Sequence, residues 1–189
     1  GAGAVREFIA EVNRRSPDTV ILVDEAYHEY VDDPTYATAI PTALSNPKVV
    51  VVRTFSKVYG MAGLRAGYAI GMPETLNAMR RHRLPNNINV LASAAAVSTL
   101  PDTKHVEREV LLNREAREFT RKALASMGFE SPASSANFIM VPIGRDSRAF
   151  RDACAKHGVL VGRPFPPLTT HARISIGTMG EMRRAMDVF

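Results

Sequence analysis

The sequence predicts an α/β fold built on a mostly parallel sheet, followed by a smaller α+β unit. Three observations carry this. Val20-Ile21-Leu22-Val23 and Val49-Val50-Val51-Val52 are short continuous apolar runs, the pattern of parallel strands buried on both faces. Segments with helical periodicity separate or follow them. After Gly128 the pattern changes to short strands alternating with shorter helices.

Taken in order, Gly1-Ala2-Gly3 reads as a loop, followed by a helix with Val5, Phe8, Ile9 and Val12 on one face. Ser16-Pro17-Asp18 is a turn cluster that ends it. The two apolar runs follow as strands, and Tyr68-Ala69-Ile70 is a third. Pro73-Glu74 opens a helix to about Arg81, with proline at a tolerated first-turn position. Leu84-Pro85-Asn86-Asn87 breaks the chain before an Ala/Ser-rich helix over Val90–Leu100. Pro101-Asp102 then starts a long helix, with Val106, Val110, Leu111, Leu124 and Met127 expected inward and Gly128 as the stop. Beyond it the expected elements are strand Phe138–Pro142, helix Ser147–His157, strands Val159–Val161 and Arg173–Ile176, and a helix from Gly180 running to the last residue, Phe189. The reading divides the chain into 1–100 and 101–189, with the long helix as bridge.

Composition narrows the function classes. The chain has 189 residues, enough for a real core. No apolar run approaches membrane-spanning length and no signal-peptide pattern opens the sequence, so a cytoplasmic protein with no membrane partner is expected. Net charge is +5 and the pI about 9.7, but the basic residues are scattered beside glutamates, as in Arg6-Glu7 and Arg114-Glu115. Aromatics are 7% and tryptophan is absent, so the stacking clusters of a nucleic-acid surface are missing and none is expected as partner. An anionic small ligand accounts for the excess equally well. The single cysteine, Cys154, excludes an internal disulfide and reads as core packing. His28, His82, His105, His157 and His171 show no metal-ligand spacing, and no metal is expected.

Two clusters carry chemistry, and each follows an apolar run. Asp24-Glu25-Ala26-Tyr27 comes first. A carboxylate beyond the carboxyl end of a strand sits where open α/β sheets bind ligands, although Asp24 could equally cap a helix and Tyr27 could pack. The second is Thr54-Phe55-Ser56-Lys57-Val58-Tyr59-Gly60-Met61-Ala62-Gly63-Leu64-Arg65-Ala66-Gly67-Tyr68. Its lysine can form a Schiff base with a carbonyl cofactor, while Thr54, Ser56 and the forked cation of Arg65 suit a phosphate. The spacing matches neither the dinucleotide fingerprint nor the P-loop.

These segments resemble the fold-type I pyridoxal-phosphate aminotransferases, and within them the histidinol-phosphate aminotransferase group. The likeness continues through Ala136-Asn137-Phe138 and Ala172-Arg173-Ile174-Ser175-Ile176-Gly177, so it spans almost the whole chain. It implies pyridoxal 5'-phosphate as cofactor, with Lys57 as the Schiff-base lysine and proton carrier. Asp24 would pair with the pyridine nitrogen, Tyr27 would contact the phenolic oxygen, and Thr54, Ser56 and Arg65 would hold the phosphate. Arg173 would take a substrate α-carboxylate, with Asn137 and Arg163 as further substrate contacts. The substrates implied are an amino acid or histidinol phosphate and a 2-oxo acid. Alternatives are aromatic or aliphatic donors, a related decarboxylase, or a non-catalytic fragment.

Residues 1–100 would then be the C-terminal part of the cofactor-binding large domain, and 101–189 the small domain. Gly1-Ala2-Gly3 resembles the continuation of a family Asn-Pro-x-x-Pro-Thr-Gly loop, which implies a C-terminal half of a homodimeric parent, poorly stable by itself. Two departures bear on substrate. The family arginine that closes a Gly-apolar-apolar-apolar-Arg strand falls one residue late in Gly158-Val159-Leu160-Val161-Gly162-Arg163, and Asn86 stands where the group commonly carries an aromatic.

Overall fold

The computed structural model describes residues 1–189 and divides into two units, Gly1–Val106 and Glu107–Phe189. The first unit holds helix α1 (Ala2–Arg15), strand β1 (Ile21–Asp24), a short helix α2 (Ile40–Ala43), strands β2 (Val49–Thr54) and β3 (Gly67–Ile70), and helices α3 (Pro73–Arg80) and α4 (Val90–Thr99). Helix α5 (Thr103–Ser126) contains the division between the units. The second unit continues with β4 (Phe138–Pro142), α6 (Ser147–Lys156), β5 (His171–Ser175) and α7 (Met179–Met186).

The sheet of the first unit is mixed, in the order β1-β2-β3. β1 and β2 are parallel, with Ile21 opposite Val49 and Asp24 opposite Val52. β3 returns antiparallel, with Thr54 opposite Gly67 and Val51 opposite Ile70. The valines of β2 are its centre: Val49, Val50 and Val51 are 0–1% exposed. Ile9 of α1, Ile21, Ala39 and Ala43 pack on this strand. β1, expected to be buried on both faces, is covered on one only, because Leu22 is 57% exposed while Ile21 is buried. Helix α1 begins at Ala2, so the expected Gly1-Ala2-Gly3 loop is largely helical, and of its predicted stripe Val5 and Phe8 face outward.

In the second unit β4 and β5 pair antiparallel, with Met140 opposite Arg173. Ile139 and Val141 of β4, Ala172 and Ile174 of β5, Phe150 and Cys154 of α6, and Ala185 and Met186 of α7 form its core with Leu124. α7 starts at a capping box in which Thr178 and Glu181 satisfy each other's backbone N–H groups.

Three expectations for the long helix and its sequel are corrected. Leu111 and Met127 are exposed, and the buried face of α5 carries Asn113, Ala116, Arg117, Thr120 and Leu124 instead. Its polar members face carbonyls: Arg117 Nη1 donates to the Ser135 carbonyl at 2.9 Å. Val159–Val161 forms no strand. That segment approaches β5 through one backbone bond, from Gly162 N to the Arg173 carbonyl, so no ladder develops. The last helix ends at Met186, three residues short of the expected end.

Candidate active site

Parallel pairing sends β1 and β2 to the same sheet edge, and the first six candidate residues gather there. Asp24 is the last residue of β1, and its Oδ1 accepts from Ala26 N at 3.0 Å, closing a tight turn. Tyr27 follows and precedes the single helical turn His28–Tyr30. Thr54 ends β2, and Ser56 and Lys57 follow it. Lys57 Nζ lies over the Tyr27 ring, 5.1 Å from its centroid, and meets no carboxylate at ion-pair distance.

The loop from Phe55 to Ala66 then folds back on itself. Gly60, at φ +68°, donates to the Lys57 carbonyl at 2.9 Å, and Met61 N donates to the Phe55 carbonyl at 3.0 Å. Phe55 N reaches the Ala66 carbonyl at 3.1 Å, which returns the chain beside Thr54. The buried side chains Phe55, Met61, Ala66 and Ala92 hold the loop, with Tyr59 and Tyr68 against the Phe55 ring. Arg65 adopts the left-handed conformation, φ 59° and ψ 51°, an uncommon state for a residue with a Cβ. Its Nη1 donates to the Ala62 carbonyl at 2.9 Å.

Thr54, Ser56 and Arg65 line one cavity of about 830 Å³, together with Tyr68, Arg80 and Arg83. Thr54 Oγ1 accepts from Ser56 N at 3.0 Å and donates to the Ala66 carbonyl at 3.3 Å, whereas the Ser56 hydroxyl makes no bond to the protein. The free Ser56 hydroxyl and the arginine forks around one cavity are a donor set suited to a phosphate, and the Thr54 hydroxyl could join them by exchanging its 3.3 Å bond to the Ala66 carbonyl. Together with an amine lacking a counter-charge and an exposed carboxylate at the neighbouring strand end, the residues of this unit fit pyridoxal phosphate.

Behind this edge lies an ion pair that motif reading passed over. Glu25, 5% exposed, accepts from Arg53 Nη2 at 2.8 Å and Nε at 3.1 Å, from Ala39 N at 2.7 Å and from Thr38 Oγ1 at 2.8 Å. Burial pushes the Glu25 carboxyl up, but the Ala39 N–H, Arg53 and Thr38 outweigh it and hold the group below the usual carboxylate range. Burial, then the Arg53 charge, holds the nearby His28 imidazole below its ordinary range, with Tyr36 Oη 2.9 Å from its Nδ1. His105, read as surface or packing, sets its Nε2 3.1 Å from the Val58 carbonyl, next to Lys57. The legible signal for the pair was one charge beside each chosen strand end, Glu25 after Asp24 and Arg53 before Thr54.

The other three candidates belong to the second unit. Asn137 immediately precedes β4, and its carbonyl accepts from Ile176 N at 2.9 Å. Arg173 lies mid-strand in β5 with its guanidinium 4.2 Å from the centroid of Phe138. Arg163 stacks on Phe165 at 4.3 Å. No group of three or more His, Cys, Asp or Glu side chains could hold a metal ion, and no helix is long and apolar enough to cross a membrane.

Comparison with known proteins adds a family pattern to this geometry. The family model for aminotransferase class I and II matches residues 4–189. A histidinol-phosphate aminotransferase of Symbiobacterium thermophilum is 39% identical over 186 residues, covering 97% of this chain and 51% of that protein. An aromatic amino acid aminotransferase of Thermobifida fusca is 40% identical over 176 residues, covering 92% of this chain and 48% of that protein. The crystal structure of histidinol-phosphate aminotransferase from Sinorhizobium meliloti in complex with pyridoxal-5'-phosphate superposes with a TM-score of 0.80 at 29% identity, over 89% of this chain and 47% of that one. The chain spans about half the length of the curated relatives it matches.

Proposed function

Because this chain belongs to the class I and II aminotransferase family, we propose that it serves pyridoxal-phosphate-dependent transfer of an amino group between an amino acid or histidinol phosphate and a 2-oxo acid. The observation that carries the reading is the convergence of Asp24, Tyr27, Thr54, Ser56 and Lys57 on one sheet edge, with Lys57 Nζ over the Tyr27 ring. When bound, the cofactor supplies an aldehyde for amines and a ring that accepts electrons.

The chain's own residues have distinct tasks in this reading. Ser56 and Thr54 offer hydroxyls, and Arg65 a forked cation, to the phosphate; the left-handed backbone at Arg65 fixes where that fork starts. Asp24 accepts a proton-bearing ring nitrogen through the carboxylate oxygen that Ala26 leaves open. Tyr27 donates to the phenolic oxygen while its ring faces Lys57. The Lys57 amine takes the proton from the substrate carbon and returns it, as general base and then acid. In the second unit Arg173 binds a carboxylate, Arg163 binds another anionic group, and Asn137 adds a polar contact.

The same reading assigns 1–100 to the cofactor-binding large domain and 101–189 to the small domain. It makes the protein a cytoplasmic homodimer of histidine biosynthesis. The histidinol-phosphate aminotransferases among the relatives support that donor, and the Thermobifida fusca protein supports aromatic donors as the second reading.

Incubation with pyridoxal phosphate, borohydride reduction and peptide mapping tests the site. A pyridoxyl label confined to Lys57 is expected; label spread over other lysines would sink the assignment. A donor screen with histidinol phosphate, phenylalanine, leucine and threonine phosphate separates the two readings. Turnover of phenylalanine without histidinol phosphate would select the second.

A further inference from the structure

Two carbonyls around Lys57 accept from within its own loop: Gly60 N donates to that of Lys57 at 2.9 Å, and Met61 N to that of Phe55 at 3.0 Å. The Val58 carbonyl is placed differently. No backbone N–H reaches it, and Val58 itself is buried at 2% exposed. A buried acceptor left unpaired costs more than a made bond returns. Its partner comes from 47 positions along the chain, His105 Nε2 at 3.1 Å. A carbonyl only accepts, so Nε2 carries the proton.

His105 is itself held in place. Its backbone N donates to Asp102 Oδ1 at 3.0 Å, the capping bond at the start of α5. Asp102 N in turn donates to the carbonyl of Thr99, the last residue of α4, at 3.1 Å. Ala92 of α4 joins Phe55 and Met61 of the loop in one apolar cluster. A packed helix and a cap therefore deliver the ring to the loop. On the other side of Lys57, Ser56 N donates to Thr54 Oγ1 at 3.0 Å. Fixed peptides thus bracket the lysine backbone. A flexible four-carbon stem enlarges any rotation at its base, so the place where the amine arrives depends on those peptides. It arrives over the Tyr27 ring, with Nζ 5.1 Å from the centroid.

We propose that His105 is a positioning residue for Lys57: its imidazole N–H fixes the peptide that follows Val58, and with it the course of the lysine side chain toward Tyr27. For catalysis this rests on the aminotransferase reading, while the placement itself requires no cofactor. An imidazole suits the task because Nε2 keeps its proton in this neutral tautomer and in the imidazolium alike. The bond therefore holds across the range in which histidine titrates.

Two measurements test the placement without cofactor. In the ¹⁵N-labelled chain the His105 ring is expected to be protonated at Nε2 throughout the neutral range. After reductive ¹³C-methylation, the Lys57 signal, assigned with Lys57→Arg, is expected to be shielded by the face of the Tyr27 ring and to stand apart from Lys48, Lys104, Lys122 and Lys156. His105→Leu should lose more than half of that shielding. His105→Gln, which restores an N–H donor, should keep it. With cofactor added, His105→Leu should weaken pyridoxal phosphate binding about tenfold, equivalent to about 1.4 kcal/mol, and His105→Gln by no more than about twofold. A merely structural histidine would lower the urea midpoint on change to leucine but leave the Lys57 shielding of the folded chain as it was, and that result overturns the proposal. Unchanged affinity for pyridoxal phosphate in His105→Leu does the same. So does a ring protonated only at Nδ1 in the unaltered chain, which needs no variant to fold. Borohydride labelling of Lys57 in the unaltered chain is scored separately. Labelling there with undiminished shielding in His105→Leu refutes the positioning role alone; lost shielding in that variant with no labelling of the unaltered chain refutes the cofactor reading alone.

Discussion

Replacing Glu25 by glutamine should cost more stability than any other single isosteric change in the first unit. Glutamine keeps the volume and one acceptor oxygen but removes the charge facing Arg53, whose side chain is 14% exposed. It also turns an N–H₂ donor toward groups that all donate: Arg53 Nε and Nη2, Ala39 N and Thr38 Oγ1. Breaking a buried pair from one side costs about 3–5 kcal/mol, chiefly the uncompensated charge left behind. At an m-value near 2 kcal/mol/M, the urea midpoint should fall by about 2 M. All five tyrosines, at 27, 30, 36, 59 and 68, lie in the first unit and tryptophan is absent, so tyrosine fluorescence reports this unit directly. The double variant Glu25→Gln/Arg53→Met removes the orphaned cation with its partner. It should be less destabilised than the sum of the single variants by about 2 kcal/mol. A single-variant loss below about 1 kcal/mol, or strict additivity, would refute the assignment of the pair as a buried anchor.

Three further outcomes are expected. Stability of the first unit should fall on acidification in two steps. His28, held below its unfolded value of 6.5, favours the unfolded state as pH drops through 6.5; Glu25, held below 4.5, loses its contribution as pH drops from 4.5 through its lowered folded value. Urea midpoints from pH 8 to 3 check this, and His28→Gln should remove the upper step only. In a spectrophotometric titration Tyr36, pushed up to about 12 by burial and then by the Glu25 charge, should stay largely un-ionised at pH 11; its complete ionisation by that pH in folded protein would contradict its placement. Gly67→Ala places a Cβ 2.8 Å from the Arg53 carbonyl and should cost about 1–3 kcal/mol through displaced backbone, whereas Gly63→Ala enters open space; equal midpoints for the two variants would contradict the close approach.

What was legible in the sequence was whatever a short apolar run or a turn residue specifies locally. The valine run of β2, the proline at the start of α3 and the glycine stop after α5 all lie where sequence reasoning puts them. Val159-Leu160-Val161 looks no different from those runs, but a strand needs a partner, and only Gly162 reaches β5. The antiparallel course of β3 is likewise absent from Tyr68-Ala69-Ile70. It follows from a loop that folds back through Gly60 and Arg65. In α5 the stripe rule failed for a different reason: the buried face answers carbonyls at 135 and 136, so Asn113 and Arg117 displace leucine and methionine from it. Hydrophobic periodicity sees apolar partners and is blind to backbone acceptors.

The candidate site shows the same limit at closer range. Along a strand successive side chains point to opposite faces, so consecutive residues at a strand end serve opposite sides of the sheet. Asp24 and Thr54 carry the proposed cofactor contacts, while the next residue in one direction or the other, Glu25 or Arg53, joins the buried pair. Parallel register makes this possible. With Asp24 opposite Val52 and Glu25 N bonded to the Val52 carbonyl, Glu25 comes level with Arg53 just as the ladder ends. Beyond that point no backbone bond between β1 and β2 fixes the two chains against each other. An apolar contact there would hold them together without fixing their offset. A forked guanidinium on a carboxylate has a preferred geometry, and it fixes both separation and offset. The motif residues are visible because their chemistry is unusual, while the pair that fixes their spacing looks in sequence like two ordinary charges.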